Sequence, residues 1–181
     1  MATSLLQLKL TLLDVKPAVW RRLYVSSQVS LEQLHEIILV LTGWGGEHPH
    51  EFVIGEARYG RPSPREIVPV QNEALYRLHS LPTERNDGFV YVYDFDVHWQ
   101  IDIRVENVLS RDMGGGAPLV LDGERAFPPE DSGGADAYSS LVEASPGPDR
   151  PPSAAIAARL PEGFDPERFD LSEVNERLRT L

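Results

Sequence analysis

The segment from Ser30 to Gly43 carries both a start signal and a stop signal for an α-helix. Ser30 is a favoured N-cap residue, and Gln33 follows three positions later, as in a capping box. Between the two signals, apolar residues recur at helical spacing, at Leu31, Leu34, Ile37, Ile38 and Leu41. Gly43 is the residue type that most often ends a helix in the left-handed conformation. The sequence therefore predicts one amphipathic helix with an apolar face to bury.

Strand patterns stand on both sides of this helix. Residues 6–12 and 19–25 alternate between apolar and polar side chains, which is typical of half-buried strands. In the second of these, Arg21 falls on the same face as the apolar residues, and Trp20 and Arg22 fall on the other. Residues 48–54, 89–95 and 99–106 alternate in the same way, and the last two segments form a hairpin. Its turn lies near Asp96-Val97 and needs more than two residues, because neither type favours a tight turn.

The order strand, strand, helix, strand, then hairpin predicts the α+β class. We expect a single domain with a largely antiparallel sheet and the helix packed on one face, and this opening is analogous to a β-grasp fold. The domain is predicted over 1–145, followed by a Pro-rich linker over 146–152. A C-terminal helical segment over 153–181 is expected to pack on the same domain. Short helices are predicted at 138–144 and 154–160, and a final helix starts at the Asp170 and Glu173 capping residues.

Charge and composition exclude several classes of protein. The formal net charge is −11, and residues 111–181, a loop-rich acidic third, hold 14 Asp and Glu against 7 Arg. Such a surface repels phosphate backbones, so nucleic-acid binding is disfavoured. The chain has no Cys, which excludes disulfides and thiolate metal sites. No leader-like or membrane-spanning apolar run is present, and we expect a cytoplasmic protein with no membrane partner.

Histidine positions suggest a metal site. His48 and His50 stand two positions apart in a predicted strand, so both imidazoles would point to one face. His98 and Asp94 would complete the set if the fold brings them close. The alternative is that these histidines fill hydrogen-bonding niches in the scaffold, because no established metal-binding spacing occurs. The metal interpretation corresponds to a metal-dependent hydrolase or nuclease-like enzyme.

A second group of side chains forms the candidate binding set. Its members are rare aromatic, basic or titratable residues, namely Trp20, Arg21, Arg22, His35, Trp44, His50, Asp94 and Trp99. The tryptophans either line an aromatic ligand pocket or lie at the rim of the core with a partner for each indole N–H. One arginine is expected to form a structural ion pair with a carboxylate, for which Glu51 and Asp94 are suggested partners, and an anion-binding arginine is the alternative. No motif implies a particular cofactor.

Four ordered motifs extend over nearly the whole chain. They are Pro17 with Trp20-Arg21-Arg22, Leu34-His35, Gly43-Trp44 and the run 48–52; Tyr93-Asp94-Phe95 with Trp99; the run 121–125 with 128–131 and Gly133-Gly134; and Phe164-Asp165-Pro166 with Phe169-Asp170 and Val174-Asn175. Together they resemble the plasmid pRiA4b ORF-3-like family. The resemblance implies a compact α+β fold in a bacterial protein associated with plasmids or insertion elements. It also implies that Val120, Phe127 and Ser132 stand where many relatives carry Cys, and that Asp96-Val97 replaces the family's Gly-Asp.

Three functional hypotheses follow from these observations. The leading one is a mobile-element-associated module that binds an unidentified protein or small ligand and has no catalysis of its own. The second is the metal-dependent hydrolase or nuclease-like enzyme. The third is a DNA-associated accessory factor, which would need a basic face around residues such as Arg21 and Arg22.

Overall fold

The computed structural model describes residues 4–63, 68–110, 116–144, 154 and 158–181. This part of the chain contains one eight-stranded sheet. The strands are β1 (Ser4–Leu12), β2 (Trp20–Ser26), β3 (His50–Ile54), β4 (Ala57–Gly60), β5 (Gln71–Asn72), β6 (Gly88–Tyr93), β7 (Trp99–Ser110) and β8 (Leu119–Glu124). The α-helices are α1 (Leu31–Thr42), α2 (Ala135–Ala144) and α3 (Leu171–Leu178).

Strand order across the sheet is β5-β4-β3-β6-β7-β1-β2-β8. All neighbours are antiparallel except β4 and β5, which run parallel. The predicted α+β class with a largely antiparallel sheet is confirmed. Short strand β5 and strand β8 form the two edges of the sheet, and β1 lies between β7 and β2 near the β8 side.

One face of the sheet and the apolar stripe of α1 form the core. Leu6, Leu8, Leu10 and Leu12 of β1 are each at most 2% exposed, while the residues between them are half-buried. The predicted stripe of α1 is buried, and Gly43 ends the helix with φ of 79°. The Ser30 capping box forms as predicted, with Gln33 N–H donating to Ser30 Oγ and Ser30 N–H to Gln33 Oε1.

Three local predictions need correction. Strand β3 begins at His50, so His48 precedes the strand and does not share its face; Pro49 lacks the N–H that a paired strand residue would need. The first hairpin strand ends at Tyr93, which leaves Phe95 in a loop from Asp94 to His98. That loop is longer than two residues, as predicted. Residues 119–124 fall in the segment expected to be rich in loops, but they form strand β8. Their side chains do not alternate regularly, because a register shift interrupts the pairing of β8 with β2 between Arg22 and Leu23.

The C-terminal segment packs on the sheet and on α1. Helix α3 contacts β8 and α1, and Leu178 is 1% exposed. Helix α3 starts at the Asp170 N-cap, whose carboxylate accepts the N–H groups of Ser172 and Glu173. The predicted linker 146–152 lies outside the described residues, as do residues 155–157 of the predicted helix 154–160. None of the helices that the structure describes is long and apolar enough to cross a membrane.

Replacing Ser30 by Ala should lower the free energy of unfolding by about 1 kcal/mol, because the Gln33 N–H loses its capping acceptor. Chemical denaturation monitored by circular dichroism measures the effect. Ser172→Ala is the matched control: this exposed serine of α3 only donates its backbone N–H to the Asp170 cap, so its change should stay within about 0.5 kcal/mol. Equal losses in the two variants would contradict the capping role of Ser30.

Candidate functional site

A buried histidine cluster joins α1 to the sheet. The rings of His35 and His50 stack with centroids 3.5 Å apart and an interplanar angle of 4°. His35 Nδ1 shares a hydrogen bond of 2.8 Å with the Tyr91 hydroxyl. His50 Nε2 lies 2.9 Å from Glu73 Oε2, and the Arg61 guanidinium approaches the other oxygen of that carboxylate at 3.7 Å. The cluster therefore links four side chains by direct contacts and ends at an arginine on the surface.

Burial controls the protonation of two members of this cluster, His35 and Tyr91. His35 is 2% exposed and Glu73 is 1% exposed. Burial lowers the pKa of His35 to about 3, with smaller contributions from the His50 ring and the Arg61 charge. Burial likewise raises the pKa of the Tyr91 hydroxyl far above its ordinary value. His35 is therefore neutral at pH 7 and acts as a hydrogen-bonding partner inside the core.

A second cluster surrounds Glu130 in the loop after β8. Its carboxylate accepts the Tyr93 hydroxyl at 2.8 Å and the Gly45 N–H at 3.1 and 3.2 Å to its two oxygens. The indole of Trp99 donates to the Glu130 carbonyl at 3.1 Å, and the indole of Trp44 donates to the neighbouring Pro128 carbonyl at 2.9 Å. Trp44 also stacks on Tyr93, with centroids 4.8 Å apart. Trp99 therefore fixes this segment to β7, and Trp44 fixes it to the end of α1.

Burial, and secondarily the bond to Glu130, raise the pKa of Tyr93 to about 12. The same hydroxyl accepts the Gly46 N–H at 3.0 Å. At neutral pH the Tyr93 hydroxyl is therefore protonated and donates its proton to the Glu130 carboxylate.

The four residues of the predicted metal site do not assemble. His48 Nδ1 lies 3.4 Å from Asp94 Oδ2, and His98 contacts Asp94 only through its backbone N–H, 2.6 Å from the Asp94 carbonyl. His50 instead contacts Glu73. Within the described part of the chain, no group of three or more His, Cys, Asp or Glu side chains could hold a metal ion.

Arg21 is buried on the core face of β2, opposite Arg22, as the strand pattern predicts. Its guanidinium donates to the carbonyls of Trp20, Glu124 and Arg125 at 2.7, 3.0 and 2.7 Å. The rings of Phe127 and Phe169 flank it, 4.9 and 4.2 Å from Cζ to the ring centroids. Burial lowers the pKa of Arg21 to about 10, so it stays charged at pH 7.

Arg22 lies on the other, open face of the sheet. It forms a two-pronged pair with Glu106, at 2.5 Å from Nε and 2.9 Å from a terminal nitrogen. The expected ion pair between one arginine and a carboxylate therefore forms, but its partner is Glu106. The two suggested partners bind elsewhere: Glu51 binds Arg58, and Asp94 contacts His48. The two arginines therefore form no common basic patch.

Exposure divides the eight predicted binding residues into two groups. Six are buried, namely Arg21, His35, Trp44, His50, Asp94 and Trp99. Trp20 and Arg22 are partly exposed. Sequence reasoning missed the partners Glu73 and Glu130. Glu130 falls within the third motif, which is a usable signal, whereas nothing in the sequence around Glu73 marks it.

A family model described as "Plasmid pRiA4b ORF-3-like protein" matches residues 4–173. The chain belongs to this family. The uncharacterized protein y4hQ of Sinorhizobium fredii is 31% identical to this chain over 145 residues, which are 80% of this chain and 74% of y4hQ. The crystal structure of MM3350, a protein of unknown function from Methanosarcina mazei Go1, superposes with a TM-score of 0.82 at 28% identity, over 96% of this chain and 98% of MM3350. The comparisons thus establish the family of this chain, and the names of these two relatives assign no activity.

Acid should destabilise the protein through His35. Between its ordinary pKa of 6.5 and its folded pKa of about 3, the unfolded chain binds a proton that the folded chain does not. The contribution of neutral His35 to the free energy of unfolding is therefore fully present above pH 6.5 and is lost as the pH falls towards 3. From pH 7 to pH 5 the free energy of unfolding should fall by about 2 kcal/mol more in the wild type than in His35→Gln.

Chemical denaturation at the two pH values measures this difference, and NMR titration of the His35 ring provides a direct check. A ring that titrates near pH 6.5, or identical pH dependences in the two proteins, would contradict the assignment.

Arg21→Lys should lower the free energy of unfolding by about 2–4 kcal/mol, because an ammonium cannot reproduce three diverging bonds to carbonyls between two aromatic rings. Arg22→Lys is a matched control at the adjacent position. Its partly exposed pair with Glu106 should make the loss smaller than about 1 kcal/mol. Thermal and chemical denaturation of both variants test the contrast, and a larger loss in Arg22→Lys would refute it.

Proposed function

We propose that this protein is a non-catalytic interaction module that binds a protein partner with the open face of its sheet, centred on Trp20. We call this surface the Trp20 face and define it by Lys9, Trp20, Arg22, Tyr24 and Glu106. The observation that carries the proposal is the exposure of the candidates. Of the eight predicted binding residues, Trp20 and Arg22 are the two that solvent reaches, and they lie on this face.

The Trp20 face has the chemistry of protein–protein contacts. Lys9 Nζ lies 4.8 Å and Arg22 Cζ 5.1 Å from the Trp20 ring centroid. The indole N–H donates to Glu124 Oε2 at 3.1 Å, so the ring is held in place before a partner arrives. Trp, Tyr and Arg are the residue types that contribute most binding energy in protein interfaces. A fixed aromatic ring also loses little conformational entropy on binding.

The shape of the face favours a protein over a small molecule. Small ligands bind in concave sites, whereas the Trp20 face consists of half-buried side chains on three neighbouring strands, β7, β1 and β2. An open groove of about 670 Å³ lies elsewhere, lined by residues such as His79, Leu81 and Val108. None of the eight candidates lines this groove.

Charge argues against a nucleic-acid partner. The arginine of the face is already paired, because Arg22 binds Glu106 and approaches Asp122 at 3.6 Å. Arg21 contributes nothing to the surface. With a net charge of −11, long-range attraction of phosphate is absent.

The biological setting is part of the same proposal. The description of the family as plasmid pRiA4b ORF-3-like supports an association with mobile elements. The absence of Cys from the sequence is compatible with action in the cytoplasm. We therefore expect the partner to be a protein of the host cytoplasm or of the mobile element itself.

Site-specific photocrosslinking in living cells tests the proposal. A photoreactive phenylalanine analogue at Tyr24, on the Trp20 face, should give a discrete crosslinked product, whereas the same analogue at Glu56, an exposed turn residue away from this face, should not. Adding Trp20→Ala should reduce the Tyr24 product by about tenfold, the loss expected for a central aromatic contact. Equal crosslinking at both positions, or a product insensitive to Trp20→Ala, would refute the proposal.

A further inference from the structure

Three basic residues stand side by side on the open face of the sheet, at the Trp20 face. Lys9 of β1 is in register with Arg22 of β2 on one side and with Arg104 of β7 on the other. The three cations form one row across three neighbouring strands, which we call the basic row. Like charges that face each other across paired strands are destabilising, so the fold alone does not account for this arrangement.

The middle cation of the basic row has no carboxylate of its own. Arg22 is paired with Glu106, and Arg104 Nε lies 2.9 Å from Asp102 Oδ2. Among the described residues, no carboxylate oxygen lies within 4 Å of Lys9 Nζ. Lys9 is therefore the cation of the row that is free to pair with an incoming anion.

Apolar surface flanks the basic row on both sides. Trp20 and Tyr24 lie two residues before and two residues after Arg22 on β2, so their side chains point to the same face. Leu119, which is 45% exposed, is in register with Tyr24 on β8. Lys9 Nζ lies 4.8 Å from the Trp20 ring centroid, so the ammonium is adjacent to aromatic surface. Along β2 the face thus alternates apolar, basic, apolar, with about 6.6 Å between successive rows.

We propose that the partner segment bound by the Trp20 face is an extended stretch with one acidic side chain between two apolar side chains at alternate positions. This inference rests on the proposed function of the face. In an extended segment, the side chains at i, i+2 and i+4 point to one side with the same spacing of about 6.6 Å. The acidic side chain pairs with Lys9, and the apolar side chains pack on Trp20 and on Tyr24. The added carboxylate also offsets the repulsion within the basic row.

Charge restricts the segment to a single carboxylate of this kind. With a net charge of −11, the chain repels a polyanion at long range. A second acidic side chain would meet arginines that already have carboxylate partners. The acidic surface elsewhere opposes binding of the segment at other places, which adds to the specificity of this face. The partner segment is therefore mostly apolar and neutral, with one Asp or Glu.

Binding of synthetic peptides to the full chain tests the inference. The probe is a capped peptide with the order leucine, serine, glutamate, serine, leucine, and its control has glutamine in place of glutamate. NMR titration that follows the Trp20 indole N–H measures both affinities. We expect the glutamate peptide to bind about tenfold more tightly, because an ionised acceptor strengthens the hydrogen bond from the Lys9 ammonium. Added salt should reduce this preference.

Three variants assign the preference to one side chain. Lys9→Met removes the ammonium but keeps an unbranched apolar chain, and it should bind the two peptides equally. Lys9→Arg keeps a cation and should retain the preference. Lys16→Met removes the same charge from an exposed position between β1 and β2, and it should behave as the wild type does.

Three outcomes of the titration would overturn the inference. They are no shift of the Trp20 indole N–H with the glutamate peptide, equal affinities of the two peptides for the wild type, and a preference that survives in Lys9→Met.

Crosslinking from Tyr24 separates this inference from the proposed function. A Trp20-dependent product that forms equally well in Lys9→Met means that the face binds a protein without an acidic contact, which overturns the inference alone. Absence of a Trp20-dependent product in the wild type overturns the proposed function, and the inference falls with it. A product that Lys9→Met reduces about tenfold and Lys9→Arg retains supports both.

Discussion

The period-two alternation of the central strands is the constraint on which the rest of the structure depends. Because successive side chains of a strand point to opposite faces, Trp20, Arg21 and Arg22 cannot share one environment. The leucines of β1 determine which face is covered, and α1 covers it. Arg21 is thereby forced into the core, and Trp20 and Arg22 are left on the surface. The same separation places Tyr91 beneath α1, where it meets His35.

Local signals predicted local structure well. The Ser30 capping box, the apolar stripe of α1 and the opposite directions of Arg21 and Arg22 all follow from spacing within one element. The candidate site was harder to predict because its partners are distant in the chain. Trp99 and Glu130 are 31 residues apart, and Trp44 and Pro128 are 84 apart. Periodicity carries no information about such pairs, so the family motif was the one available pointer to Glu130.

Two interpretations failed for identifiable physical reasons. The shared face of His48 and His50 assumed that the strand runs through Pro49, which cannot donate a ladder hydrogen bond, and the strand starts one residue later. Strand β8 was missed because its register shift and Gly123 remove the alternation. The three positions where the resemblance implies Cys in relatives are filled here by buried Val120, Phe127 and Ser132. Phe127 contacts both Arg21 and Trp44, so apolar and aromatic packing holds this part of the chain.

The bonding of Arg21 has a consequence for the acidity of the chain. Its guanidinium bonds to carbonyl dipoles, and among the described residues no carboxylate lies within 4 Å of its nitrogens. Carbonyl dipoles solvate the guanidinium without a carboxylate partner, and Arg21 stays charged at pH 7 although burial lowers its pKa to about 10. The chain has 28 acids and 17 bases, an excess of 11 negative charges. Because none of the described carboxylates neutralises Arg21 directly, the acidic excess acts on the surroundings of the molecule, where it favours solubility and repels other acidic molecules.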